Sequence, residues 1–326
     1  MKKTAILLNP SSGKGRSLKQ KEKIYYYLQK YHIDFDLTVT ESENHLRQLA
    51  AELTPNYDII IGVGGDTTFN IIAGEILKKG KLEYSPNLGM IGTGSANDIT
   101  RGLGINNIED TCAAIVKSST RKMDVGTLKI IKSDSRTSDS QSPLRFFLGT
   151  LSLGLGTTVN RYIEEFHRRH KILSRINPFD QLFTGLYAIH DSFSKNKVPL
   201  TIDLTYHDII STESRTKPTT FSLLVFLNTP YYSNGIKLGE DNGLFDGYLD
   251  CREIHTHSFS HTLWTGIRIG RGILKPGEVT SIQSNLFKLS SKQTFDIQVD
   301  GEIIENVNEV EISLVPGALN VLTPCD

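Results

Sequence analysis

The sequence predicts an α/β N-terminal domain with a parallel sheet, followed by a mainly antiparallel β-sandwich domain, with a ligand cleft between them. Apolar residues up to about residue 130 switch repeatedly between a spacing of 2 and a spacing of 3.6, which signals strands alternating with helices. A polar, Ser- and Asp-rich stretch from Ser133 to Pro143 interrupts the pattern and reads as an exposed loop. Beyond it strand patterns dominate.

In order, the first half offers a strand at Thr4–Leu8, an amphipathic stretch at Leu18–Leu28 and a strand at Phe35–Val39. A helix at His45–Leu53, the β-branched run Ile59–Val63, a helix at Thr68–Leu77, a strand at Leu88–Ile91 and a helix at Ile108–Val116 follow. Such a βαβ series implies parallel strands with helices on both faces. The second half offers strands at Phe146–Leu151, Leu200–Tyr206, Phe221–Leu227, Leu249–Ile254, Ile282–Leu289, Phe295–Val299 and Val310–Leu314. Helices are expected at Thr158–His170, Phe179–Phe193 and Phe259–Ile269. The expected division is 1–127, 128–310, and a C-terminal segment 311–326 that returns to the first domain.

Composition excludes several classes. The 36 basic side chains balance 36 acidic ones, so no overall positive surface exists to neutralise nucleic-acid phosphates. Cys112, Cys251 and Cys325 are odd in number and never spaced C-x-x-C, which argues against a disulfide framework and a zinc cluster. His255, His257 and His261 lack a partner cysteine or metalloprotease spacing. No stretch approaches the roughly 20 apolar residues that span a bilayer. The apolar run after Lys2 and Lys3 stops at Asn9-Pro10, too soon for a signal peptide, so the expected location is the cytoplasm.

In open α/β sheets the ligand sits outside the carboxyl ends of the strands, so the turns there should converge. The first is Asn9-Pro10-Ser11-Ser12-Gly13-Lys14-Gly15. Small residues admit a ligand to the backbone, the next helix aims N–H groups at it, and Lys14 adds charge, a combination suited to phosphate. It is neither a Walker loop nor a dinucleotide fingerprint. The second turn, Gly62-Val63-Gly64-Gly65-Asp66-Thr67-Thr68, carries a carboxylate. Asp66 is read as a Mg²⁺ ligand or as the group that orients an attacking hydroxyl, against the alternative that it caps its own helix. The third, Gly92-Thr93-Gly94-Ser95-Ala96-Asn97-Asp98, adds hydroxyls and an amide, with Arg101 a helical turn later as a bidentate phosphate donor or as a partner for Asp98.

Together these turns make the chain similar to the diacylglycerol kinase catalytic-domain family, in particular its bacterial soluble lipid kinases, which share a superfamily with NAD kinases. The family's Asn-Pro-x-Ser-Gly is similar to Asn9–Gly13, its Gly-Gly-Asp-Gly-Thr to Gly64–Thr68, and its Gly-Thr-x-Asn-Asp-x-x-Arg to Gly92-Thr93, Asn97-Asp98 and Arg101. The resemblance continues through Asp124-Val125-Gly126, Ser152–Gly156, the segment from Gly235 to Asp250, and Asp300-Gly301-Glu302. It implies an NAD kinase-like first domain and an ATP-dependent kinase acting on a lipid hydroxyl, with nucleotide held between the domains. ATP contacts carried over are Asn9, Pro10, Ser11, Ser12, Gly13, Thr40, Gly64, Gly65, Asp66, Thr67, Thr68, Asn70, Thr93 and Asn97. A structural Mg²⁺ maps to Asp246 with Gly243 and Tyr248, and the proton acceptor to Glu302. Lys14 and Arg101 would neutralise phosphate charge, Asp66 would hold catalytic Mg²⁺ or the hydroxyl, and a lipid substrate is the expected partner.

Thr67 departs from the family, which has glycine there. A β-branched residue resists positive φ and adds bulk, so a homologue that binds nucleotide without turnover stays in view, as does an NAD kinase. Asp300-Gly301 alone is a hairpin signal. Arg161, Arg168, Arg169, His170 and Lys171 form a basic cluster with Tyr162, Ile163 and Phe166, read either as a solvated helix face or as a peripheral membrane contact. The lipid acceptor and homodimerisation are left open by the sequence.

Overall fold

The computed structural model describes residues 2–79, 85–133, 144–169, 180–211 and 213–324. Most of the expected loop at Ser133–Pro143, Cys325, and His170 and Lys171 lie outside the described residues. In the first half, strands β1 (Thr4–Leu8), β2 (Phe35–Val39), β3 (Ile59–Gly64) and β4 (Asn87–Gly92) alternate with helices. These are α1 (Ser12–Lys19), α2 (Lys21–Lys30), α3 (Glu43–Leu53), α4 (Asp66–Lys78), α5 (Asp98–Gly102) and α6 (Ile108–Lys117). All pairings along β2-β1-β3-β4 are parallel. Ile59, Ile60 and Ile61 are wholly buried, because helices cover both faces. Alternate members of that run belong to different cores, Ile60 with α3 and α4 and Ile59 and Ile61 with α2 and α6. Each such aliphatic contributes about 1.5–3 kcal/mol by leaving water.

The long strand β5 (Thr120–Ser133) then leads into β6 (Arg145–Phe147), β7 (Thr150–Gly154), α7 (Leu155–Arg169) and α8 (Asp180–Ser194). Strands β8 (Leu200–His207), β9 (Ser214–Phe221) and β10 (Leu223–Leu227) follow, with the small pair β11 (Tyr231–Tyr232) and β12 (Ile236–Lys237). The chain finishes with β13 (Leu249–Ile254), α9 (Phe259–Gly270), β14 (Val279–Ser284), β15 (Leu286–Val299) and β16 (Glu302–Leu322). Pairings among the second-half strands are antiparallel. Side chains from β5 to β10, β13, β15 and β16 share one core, including Phe147, Phe221, Phe226 and Phe287.

The two halves are not separate sheets. Strand β16 runs antiparallel beside β15 and β5, and near its end Val321 pairs in parallel with Leu88 of β4. Its register against β5 shifts between Val315 and Leu319, where Gly317 takes φ +56°. Asp124 holds this irregularity: its carboxylate accepts the N–H of Gly317 at 2.7 Å and that of Gly247 at 2.7 Å. At Gly126 a Cβ would meet the Phe147 ring at 2.2 Å, so glycine is required there for close approach.

The expected strand Phe146–Leu151 is divided. The N–H groups of Leu148, Gly149 and Thr150 turn to the Asp300 carboxylate at 2.7, 3.1 and 2.7 Å, which interrupts the ladder. The expected stretch Leu18–Leu28 is likewise two helices meeting at Gln20.

Candidate active site

The three glycine turns interlock. Gly13, Lys14 and Gly15 all take left-handed backbone angles inside α1, and a Cβ at Gly13 would sit 2.0 Å from the Thr93 carbonyl. A Cβ at Gly94 would lie 2.5 Å from Cα of Gly65. Side chains tie the same points together. Arg16 donates to the carbonyls of Gly13 (3.1 Å) and Gly94 (2.6 Å), Ser17 bonds Thr93, and Asn9 donates to Thr68 (3.1 Å). Arg16 and Ser17 escaped sequence reasoning because nothing in their type marks a residue that braces a turn.

These turns form one end of a cavity of about 770 Å³. Asn9, Ser11, Ser12, Gly13, Gly65, Asp66, Thr67 and Thr68 line that end. Helical apolar side chains, Leu155, Val159, Ile163 and Ile189, with Leu223 of β10, line the other. A side cavity of about 200 Å³ opens off the turn end, lined by Pro10, Thr40, Glu41, Ser42, Glu43, Leu46 and Ile71 together with Asn9, Ser11, Thr67 and Thr68.

Asp66, Asp98, Glu164 and Asp300 line the large cavity, and burial raises the pKa of the first and the last. Asp66 is the first residue of α4, yet it does not cap that helix. Its oxygens accept the N–H groups of Asp98 (3.1 Å) and Ile99 (3.2 Å) at the start of α5. Burial pushes it up to about 6, with the neighbouring Asp98 adding to the rise against those bonds. Asp300 sits in the β15–β16 hairpin turn with φ +44°, followed by Gly301 at φ +96°, as a two-residue turn of this kind requires. Burial pushes Asp300 to about 6, against three N–H bonds and with the Asp66 charge adding to the rise. The Asp-Gly hairpin signal located this residue, but its carboxyl carried no functional expectation.

Glu302 does not reach this cavity. Its side chain is 64% exposed and pairs with Arg145 at 2.7 Å, because the hairpin turn sends residues 300 and 302 to different sides. Arg101 also lies outside the cavity. It pairs with Asp98 at 2.7 Å and lies over the Tyr231 ring, beside a third cavity that Asn97 also lines. Lys14, Gly64, Asn70 and Thr93 line none of the three cavities. Thr93 is buried in the interlock and the Asn70 Oδ1 is buried without a hydrogen-bond partner. Thr67 is exposed in the first turn of α4 and is not among the positive-φ residues, so its β-branch imposes no backbone strain.

The mapped metal residues lie at the domain junction. The Asp246 carboxylate accepts the Tyr248 N–H at 2.9 Å. Burial, with Asp250 and Asp124 close by, pushes it to about 6. Among the described residues no three His, Cys, Asp or Glu side chains converge as a ligand cluster. The Asp246 carboxylate with Asp250 and Asp124 close by accumulates negative charge that fits a hard cation with oxygen ligands. Asn228 links this corner to the cavity, donating to the carbonyls of Asp124 (2.9 Å) and Leu148 (2.9 Å). Leu148 in turn donates to Asp300.

Two arginines of the expected basic cluster on α7 are paired with acids, while Arg168 is exposed. Arg161 pairs with Asp296 (2.7 Å) and Glu305 (2.9 Å), and Arg169 pairs with Glu165. No described helix is long and apolar enough to cross a membrane.

The fold joins an α/β half with a parallel sheet to a mainly antiparallel β half. Residues 3–128 match the pattern of the diacylglycerol kinase catalytic domain. A Streptococcus pneumoniae protein named as a candidate lipid kinase is 24% identical over 326 residues, 99% of this chain and 98% of its own. A Staphylococcus aureus diacylglycerol kinase is 32% identical over 130 residues, 39% of this chain and 40% of its own. The crystal structure of a Bacillus anthracis diacylglycerol kinase superposes with a TM-score of 0.69 over 99% of this chain and 97% of that one, at 17% identity.

Proposed function

We propose that this chain is an ATP-dependent lipid kinase that transfers the γ-phosphate of Mg-ATP to a hydroxyl of diacylglycerol or a related lipid. The observation that carries the reading is one continuous cavity with interlocked glycine turns at one end, apolar helix faces at the other, and Asp66 and Asp300 on its wall. A polyphosphate suits the first end, where close-packed glycines admit it to backbone N–H groups. Acyl chains suit the second. The side cavity beside Thr40, with Glu41, Ser42 and Glu43, suits a base whose exocyclic amine donates hydrogen bonds.

Phosphoryl transfer leaves the protein positioning and proton handling. The lipid hydroxyl oxygen forms a bond to the γ-phosphorus as the bridge to the β-phosphate breaks, giving a phosphorylated lipid and ADP. Asp300 takes the hydroxyl proton. Three backbone N–H groups fix its carboxyl, and an ionisation near 6 leaves it both deprotonated and basic enough at neutral pH. Asp66, fixed by the start of α5, orients the hydroxyl or the metal of Mg-ATP. Asp246, with the carbonyls of Gly243 and Tyr248, would hold a structural Mg²⁺, which supplies charge compensation for the junction carboxylates.

The test is transfer of labelled γ-phosphate from Mg-ATP to a bacterial lipid extract in detergent micelles, beside an Asp66→Asn variant, with products identified by mass. A phosphorylated lipid lost in the variant is expected. Product from NAD instead of lipid, or bound ATP without any product, overturns the reading.

A further inference from the structure

Large apolar side chains are exposed unevenly. On α8 these are Leu182, Phe183 (64% exposed) and Tyr187. On α9 they are Trp264 (61%) and Ile267, followed directly by Ile273 and Leu274. The two helices touch, with the His190 and Phe259 rings 5.6 Å apart. Behind this outer face the same helices supply Ile189 and Thr262 to the large cavity. Exposed apolar groups concentrated on adjoining elements mark an interaction surface rather than a solvent face.

Charge selects the occupant. Between His257 and Glu278 the permanent cations are Arg268, Arg271 and Lys275, against Glu278 alone. Arg268 and His261 hold Glu278 at 2.6 and 3.3 Å, so the acid is compensated while Arg271 and Lys275 stay exposed. An apolar face with a tryptophan and a cationic rim matches the headgroup boundary of an anionic bilayer. A protein partner of matching apolar shape would not require the cations.

We infer that the α8–α9 face docks on an anionic lipid bilayer and sets the apolar end of the cavity against it. This rests on the lipid-kinase reading for its purpose but not for its measurement. The bilayer contact is made by the outer apolar rows of α8 and α9.

The native chain carries its own probe, since Trp264 is its one tryptophan. Wild-type protein is mixed with vesicles of phosphatidylcholine and phosphatidylglycerol, then followed by flotation and by tryptophan emission. Co-flotation with a shift of emission to shorter wavelength is expected, both weaker on phosphatidylcholine alone. The double variant Phe183→Asp, Ile267→Asp replaces exposed side chains and should keep its circular dichroism while losing at least roughly tenfold in vesicle affinity. Arg271→Glu with Lys275→Glu should weaken binding about fivefold per site on the anionic vesicles only. Arg161→Glu should change little. Wild-type protein that neither floats nor shifts its emission overturns the inference, as do variants that float equally. A dimer in sedimentation that Phe183→Asp dissociates also overturns it, giving the face to a second copy. Protein that floats yet phosphorylates no lipid keeps the docking face and removes the kinase reading; activity on micelles without flotation does the reverse.

Discussion

The two ends of the large cavity are built on different principles. At the turn end the backbone itself forms the wall: Gly13 lies against Thr93, and Gly65 against Gly94, at distances that no side chain tolerates. Residue type is therefore dictated position by position. At the helical end the wall is Leu155, Val159, Ile163 and Ile189, and any apolar residue of similar volume would serve. One end is written in identities, the other only in hydrophobicity. The first fixes what chemistry is done and the second what it is done to, which is why the acceptor is the harder half to read.

The largest effect separates the two hairpin carboxyls. On the proposed chemistry Asp300→Asn should lower kcat by roughly a hundred- to ten-thousand-fold, the range for a lost general base. Glu302→Gln, which touches Arg145 and not the cavity, should cost less than roughly tenfold. Asn tolerates the positive φ of position 300, so a folded variant is expected. The phosphate-transfer assay reads both, and the reverse order would move the proton acceptor back to Glu302.

The same contrast explains what the sequence disclosed. The parallel half was legible because β1, β3 and β4 are buried on both faces and each ends in a small-residue turn. Long β16 was legible only at Val310–Leu314 and β5 not at all, since their partners lie far away in the chain: Leu128 pairs with Ile312, and Thr120 with Leu322. The strand β9 was hidden by its polarity and by Pro218. It pairs only with β8, and an edge strand tolerates a proline that a central one would not. In the site, the motif led to Asp300-Gly301-Glu302, but which carboxyl enters the cavity depends on the hairpin geometry, which composition does not state.

A second pair of variants sharpens the identity of the turn end. Gly94→Ala would push a Cβ into Gly65 and force two turns apart. A loss of about 1–3 kcal/mol in denaturant stability is expected, with weaker ATP binding. Gly74→Ala, in the middle of α4 with nothing within 4 Å of the added Cβ, should instead gain about 0.5–1 kcal/mol. Equal effects at the two glycines would break the distinction.

Acidity gives a third test. With Asp66 and Asp300 both near 6, turnover should fall about tenfold per pH step below that value, once the base is protonated. Stability should run the other way. A folded pKa above the ordinary 3.8 means the unfolded chain gives up its proton first, so the contribution is complete below about 4 and is lost as pH rises through about 6. The metal-free protein should thus melt higher at pH 5 than at pH 7, while its activity at pH 5 is lower. Activity and melting point that fall together would mean that neither carboxyl is held protonated by the fold.

The smallest effect is expected at Thr67, the position where this chain departs from the diacylglycerol kinase motif. Because the residue is exposed in the right-handed first turn of α4, no positive φ is demanded of it. Thr67→Gly should therefore lose a few tenths to about 1 kcal/mol of stability, the ordinary cost of glycine in a helix. The KM for ATP should change by less than about threefold. Gly65, one strand-end earlier, is where the backbone contact is made. A gain of more than tenfold in turnover on Thr67→Gly would show that side-chain bulk over the phosphates, rather than backbone conformation, limits this site, and would put identity-level control one residue further into the helix than the glycine contacts alone require.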